Sequence, residues 1–167
     1  IIGIINKIGA FDAGMAALSK RTKGKEFLLV TLVFVLTTLG GTTFGLAEET
    51  IAFYPILMPI FLLSGFDVLT CIAAIYMGSS IGTMFSTINP FATVIASNAA
   101  GISFTEGLTF RIVTLVLASI ITLAYMYWYA KKVNKDATKS YVYADKEEIH
   151  KRFLGEYDSN SEKEFTW

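Results

Sequence analysis

The sequence predicts an all-α membrane protein: a re-entrant helical hairpin, a broken transmembrane helix and one continuous transmembrane helix. Two observations carry this prediction. First, between Phe27 and Ala130 the only Asp, Glu, Lys or Arg residues are Glu48, Glu49, Asp67, Glu106 and Arg111. They leave charge-free runs at Phe27–Ala47, Thr50–Phe66, Val68–Thr105 and Ile112–Ala130. A soluble domain of 167 residues needs polar outward faces, whereas a bilayer with its roughly 30 Å hydrocarbon core does not. Second, glycine, proline and polar clusters interrupt two of the long apolar segments, at 46–50 and at 83–90.

Taken in order, the chain opens inside an apolar stretch, Ile1–Ile5, with no initiator Met. It is therefore expected to be a segment of a longer protein, starting on the last turns of a membrane helix. Phe11, Met15 and Leu18 then form one apolar stripe, followed by the basic run Lys20–Lys25. That pattern suits an amphipathic helix lying in the membrane surface, so residues 1–22 form one region. The transmembrane core is expected over 23–131, and 132–167 as a polar tail or linker.

The hairpin is placed at 26–64. Its first arm ends in Gly41-x-x-x-Gly45, the polar break Leu46-Ala47-Glu48-Glu49-Thr50 follows, and Ile51–Leu63 forms the second arm. Counted with its caps as about 15 α-helical residues, that arm spans roughly 22 Å, short for a crossing. The broken helix is placed at 67–100. A charge-free run of 38 residues, about 57 Å as helix, exceeds one tilted span. Gly78-x-x-x-Gly82 precedes its break near Thr83, and Asn89-Pro90 starts a new half-helix, with Asn89 as cap and Pro90 in the first turn. The continuous helix is placed at 106–131. Ser103-x-x-Glu106 reads as its capping box, and Tyr125, Tyr127, Trp128 and Tyr129 as an aromatic belt beside Lys131 and Lys132. Arg111 reads as a snorkelling side chain and Asp67 as an interfacial helix cap.

The net charge of zero hides two basic blocks, at 20–25 and in the tail from Lys131. Both land on one side of the membrane by this count, and the positive-inside tendency makes 20–25 and 131–167 cytoplasmic. Cys71, the single cysteine, excludes an intramolecular disulfide.

Broken helices survive at membrane depth only where protein or a water-filled cavity shelters the unpaired backbone. Their ends offer partial charges and free N–H and C=O groups to a ligand. The candidate substrate- or ion-binding residues are therefore Glu48, Glu49, Thr50, Gly82, Ser86, Thr87 and Asn89. A sodium ion at Ser86 and Asn89, or a proton, is the coupling ion such oxygens suit; no other metal or cofactor is expected. There is no phosphate loop, nucleophile elbow or Cys/His cluster, and no His between Phe27 and Ala130. This points to transport and not to an enzyme, with a channel-like or structural membrane subunit as the alternative.

Several motifs carry a family resemblance. They are Gly45-Leu46-Ala47-Glu48-Glu49-x-x-x-Phe53 with Pro55 and Pro59, then Gly65-Phe66-Asp67, then Gly78-x-x-x-Gly82-x-x-x-Ser86-x-x-Asn89-Pro90-Phe91. Together, over about Gly9 to Phe153, they resemble the DcuC/YfcC-type family, C4-dicarboxylate anaerobic carrier-like proteins of the ion transporter superfamily. The resemblance implies a multi-pass protein of the bacterial cytoplasmic (inner) membrane with two inverted repeats, of which this chain is most of the first. It also implies a homodimer, elevator-type movement, and a missing second repeat as structural partner. Implied substrates are small charged solutes, either C4-dicarboxylates or basic amino acids exchanged by antiport. Nucleic acid is not among the implied partners. The breaks themselves contain two carboxylates and no Lys or Arg, which leans the reading toward a basic or zwitterionic amino acid.

Overall fold

The computed structural model describes residues 26–154. The helix end and surface helix expected over 1–22, the basic block at 20–25 and the tail beyond 154 lie outside the described residues. Among the described residues every regular element is helical. Helix α1 is Glu26–Phe44, a 3₁₀ turn spans Glu48–Phe53, α2 is Tyr54–Leu63 and α3 is Val68–Met84. Helix α4 covers 90–100, α5 is Leu108–Lys135 and α6 is Lys146–Leu154. Two of them, α1 over Phe27–Phe44 and α5, are long and apolar enough to cross a membrane. Val113, Val116, Leu117, Ile120 and Ile121 of α5 are exposed, as a lipid-facing surface requires.

Helix α1 is rich in threonine, a residue that competes with helical backbone in water. Here most of the hydroxyls are returned to the helix itself: Thr31, Thr38 and Thr43 donate to the carbonyls four residues earlier, at 3.0, 2.7 and 2.6 Å. The helix stops at Phe44 because Gly45 takes a left-handed conformation, φ +77°, and the Leu46 N–H turns back to the Gly40 carbonyl at 3.2 Å.

The second arm is longer than an α-helical count suggests. Its first six residues form a 3₁₀ turn, which rises about 2.0 Å per residue, so Glu48 to Leu63 covers roughly 27 Å. Pro55 sits in the first turn of α2, where its missing N–H costs nothing, and Pro59 lies inside the helix. The hairpin begins and ends at one level. The Phe27 ring meets Tyr127 edge-on at 4.8 Å, and Gly65 lies against Asn134, so both ends sit by the C-terminal end of α5.

Helix α3 runs parallel to α1 and packs closely along it, Phe34 meeting Gly78 and Thr38 meeting Gly82. A Cβ on Gly82 would run into the Thr38 carbonyl, and one on Gly78 into the Thr37 hydroxyl and the Phe34 carbonyl. In a bilayer, association gains little from leaving water, so this close approach and the dispersion contacts it brings are the main source of cohesion. Midway, Ala73–Met77 widens into a π-helical stretch, where the Thr37 hydroxyl donates to the Ala74 carbonyl at 3.1 Å. The apolar core gathers Val30 and Phe34 of α1, Met58 and Phe61 of α2, Cys71 and Ile75 of α3, and Met126 and Ala130 of α5. It fills the half of the bundle nearer the C-terminal end of α5.

Four expectations need correction. The continuous helix is Leu108–Lys135 and not 106–131, because Gly107 adopts φ +71° as its cap. Ser103 and Glu106 do bond, N–H to Oε1 at 3.4 Å, but inside the preceding turn. The polar tail is not a loose linker over its described part: α6 packs Ile149, Phe153 and Leu154 against the core. Its acids, Glu147 and Glu148, sit in the first turn and its bases, Lys151 and Arg152, in the last, matching the helix dipole. Finally, Tyr129 leaves the aromatic belt. It is buried, and its hydroxyl donates to Asp67 Oδ2 at 2.6 Å.

Candidate functional site

The two interruptions in the chain are neighbours in space. Thr42, in the last turns of α1, is the hinge between them: its hydroxyl accepts from the Thr87 N–H at 2.9 Å and lies 3.1 Å from the Thr87 hydroxyl. The Thr42 carbonyl accepts from the Ile88 N–H at 3.2 Å. Asn89 Nδ2 donates to the Gly41 carbonyl at 3.1 Å, and a Cβ on Gly45 would lie 3.0 Å from the Asn89 amide. From the other side the Ser79 hydroxyl donates to the Leu46 carbonyl. Backbone groups that the breaks release are thus re-paired by side chains of the opposite segment, as a buried break demands.

The sequence-predicted residues fall into three groups. Ser86, Thr87 and Asn89 do gather at the second break. Ser86 is buried, its hydroxyl 2.5 Å from that of Thr93 in α4. Asn89 is 1% exposed; its Oδ1 accepts from the N–H groups of Phe91 and Ala92 at 2.8 and 3.2 Å while Nδ2 donates to Gly41. A side-chain oxygen already taking two N–H bonds has no lone pair left for a cation, so Asn89 acts here as a helix cap and splice.

The acidic pair behaves differently. Glu48 and Glu49, expected as candidates at the first break, are both exposed on this chain. Glu49 Oε2 accepts from the Ala47 N–H at 3.2 Å, capping the turn that it opens. Thr50 is the member of that cluster that turns inward, buried and donating to the Ala47 carbonyl at 2.6 Å. Gly82 packs against the Thr38 carbonyl and the Thr42 N–H.

Three participants were not singled out from sequence, Thr42, Thr93 and Ser97, and a fourth, Arg111, was read as a snorkelling side chain. Arg111 is half-buried. Its Nη2 donates to the Thr87 carbonyl at 3.4 Å and to the Phe104 carbonyl, which brings the one cation between Phe27 and Ala130 to the second break. A signal was available: Thr93 and Ser97 are four residues apart, so two hydroxyls share one face of α4. Arg111, Thr93 and Ser97 border one cavity of about 440 Å³ beside the break.

Comparison with known proteins gives this geometry a context. The chain matches the profile of the DcuC family, described as C4-dicarboxylate anaerobic carrier, over residues 1–166. It is 54% identical over 161 residues to an uncharacterised protein of Haemophilus influenzae, covering 96% of this chain and 32% of that protein. It is 37% identical over 141 residues to YfcC of Escherichia coli, whose name makes it a candidate basic amino acid antiporter, covering 84% of this chain and 28% of that one. The chain therefore spans about 30% of the length of these curated relatives. No solved structure matches it significantly.

Proposed function

Because the chain belongs to the DcuC family of C4-dicarboxylate anaerobic carriers, we propose that it supplies one repeat of a secondary active carrier. Its two breaks would form one side of a solute site, and a second, inverted repeat would complete it. The carried solute is a small charged organic molecule, a C4-dicarboxylate or a basic amino acid. The observation that supports this reading best is the splice of Thr42, Thr87, Ile88 and Asn89, which holds two helix interruptions together inside a membrane protein. A helix pair that only filled space would have no use for two interruptions, each of which loses backbone bonds that must be rebuilt.

Within this reading Ser86, Thr87 and the break carbonyls face the solute or its coupling ion, sodium or a proton. Glu48 and Glu49, open on this chain, face the second repeat and any cationic group of the solute. An elevator-type movement in a homodimer, on the bacterial inner membrane, follows the family resemblance.

The test is counterflow in proteoliposomes carrying the full transporter, with labelled succinate and labelled arginine in separate arms. A carrier shows transient accumulation of label against its gradient. A conductance far above carrier turnover with no counterflow would replace the carrier by a channel. Ser86→Ala and Glu49→Gln are expected to cut uptake at least tenfold, and wild-type uptake in both would remove these residues from the site.

A further inference from the structure

Buried polar atoms are almost always hydrogen-bonded, so those that are not call for a reason. Among the described residues two buried side-chain atoms lack a partner, Thr83 Oγ1 and Arg111 Nε. They come from different helices, the end of α3 and the first turn of α5, yet both border the same cavity of about 440 Å³. Ser86, Thr93 and Ser97, all buried, border it as well. The rest of the wall on α4 is alanine, at 92, 96 and 100, so side-chain bulk leaves the space open.

The guanidinium is held for use. Both of its hydrogen bonds run through Nη2, to the Thr87 and Phe104 carbonyls, which restrains the group. The Nε–H edge is left without a partner. A guanidinium with an unpaired N–H, held by two other bonds and flanked by hydroxyls, suits a charged oxygen acceptor such as a carboxylate better than a neutral solute.

We propose that Arg111 and Thr83 form a carboxylate-binding subsite beside the second break, with Ser86, Thr93 and Ser97 lining its hydroxyl wall. The inference deepens the carrier reading and rests on it: both solute classes considered there, dicarboxylates and basic amino acids, carry a carboxylate, and this is the group they share. It also reverses the charge argument drawn from sequence, because the second break has a cation after all.

Two variants and three probes test it on the full transporter in detergent, with ligand-induced thermal shift as the reading. The probes are succinate, arginine, and agmatine, which is arginine without its carboxylate. Succinate or arginine is expected to stabilise the wild-type protein, and which of them does so identifies the source of the carboxylate; agmatine is expected to do so at least tenfold more weakly. Arg111→Gln is expected to raise the apparent Kd for the active carboxylate at least tenfold. Because Arg111 also braces two loops, that variant risks misfolding, and Thr83→Val covers the case. The Thr83 hydroxyl has no partner to lose, so a purely structural role predicts unchanged binding, whereas the subsite predicts a three- to tenfold weaker Kd with unaltered ligand-free Tm. Wild-type Kd in Thr83→Val and in any folded Arg111→Gln, or agmatine binding as tightly as arginine, overturns the subsite. So does a wild-type protein that counterflows agmatine and responds to neither carboxylate. If counterflow persists in those cases, the carrier reading stands and the subsite alone falls.

Discussion

Asp67 and Arg111 are two ionisable side chains that this fold draws inward, and it treats them in opposite ways. Asp67 is 9% exposed, and its carboxylate takes every bond it can use. Oδ1 accepts from the Thr70 N–H and hydroxyl at 2.9 and 2.6 Å, and Oδ2 from the Tyr129 and Ser140 hydroxyls, both at 2.6 Å. Arg111 keeps a buried N–H without a partner. The first arrangement ties α3, α5 and the segment after α5 into one knot. The second holds a charge ready. Complete hydrogen bonding marks a part that serves the fold; an incomplete set at the edge of a cavity marks one that serves a ligand.

The largest expected effect would break this comparison outright. Asp67→Ala removes four accepted bonds and orphans the donors around them, in a place where no charge partner compensates. The expected cost is about 3 kcal/mol or more of folding stability, seen as a lowered Tm and poor recovery of the full transporter. Tyr129→Phe removes one of those donors and should cost about 1 kcal/mol, close to what interhelical hydrogen bonds in membranes measure. If Asp67→Ala kept its stability and lost only transport, the knot would be a functional site and the distinction drawn here would be wrong.

Asn89 sharpens the comparison, because it sits at the break yet its side-chain oxygen takes two bonds, as each oxygen of Asp67 does. If satisfaction and not location decides the role, Asn89→Ala behaves like a structural variant. It loses the cap of α4 and the splice to Gly41, and stability is expected to fall by about 1–2 kcal/mol. The check is a thermal melt without ligand beside the Kd for succinate or arginine. A large Kd change at unchanged Tm would return Asn89 to the ligand.

The membrane class, the helical interruptions and the Asn89-Pro90 restart were legible because charge-free length, glycine spacing and proline geometry are local signals. The second break and its cap could be read from residues 83–90 alone. What could not be read was direction. Glu48, Glu49 and Thr50 looked alike as candidates between apolar runs, but a 3₁₀ turn rotates successive side chains by about 120°, and Thr50 took the inward place. Arg111 looked interfacial because it stands one turn into a helix, and only the fold brings Thr87 and Phe104 within its reach. Gly82 looked like part of the break and proved to be the contact surface of a helix pair. In each case the missing information was the partner across space.

The smallest expected effect tests whether α6 belongs to the closed end of the molecule. His150 borders a cavity of about 140 Å³ shared with Asp67, Phe66 and Ser140. Burial there, and then the nearby Lys146 charge, lower its pKa below the ordinary 6.5. The folded chain therefore binds the His150 proton less readily than the unfolded chain does. Above pH 6.5 the imidazole is neutral in both states and contributes no pH dependence. As the pH falls through 6.5 toward the lowered folded value, the unfolded state takes up the proton first and stability declines; below that value the loss is complete. The side chain is partly solvated, so the change is small, roughly a few tenths of a kcal/mol. It is best read as a difference: Tm at pH 7.5 minus Tm at pH 5.5, in wild type and in His150→Gln. The variant should show the flatter profile, because it keeps the side-chain volume in the cavity and removes the proton. Equal slopes in the two proteins would mean that α6 does not stay docked beside Asp67 in solution. The knot would then end at Tyr129, with Ser140 and everything after it free to leave.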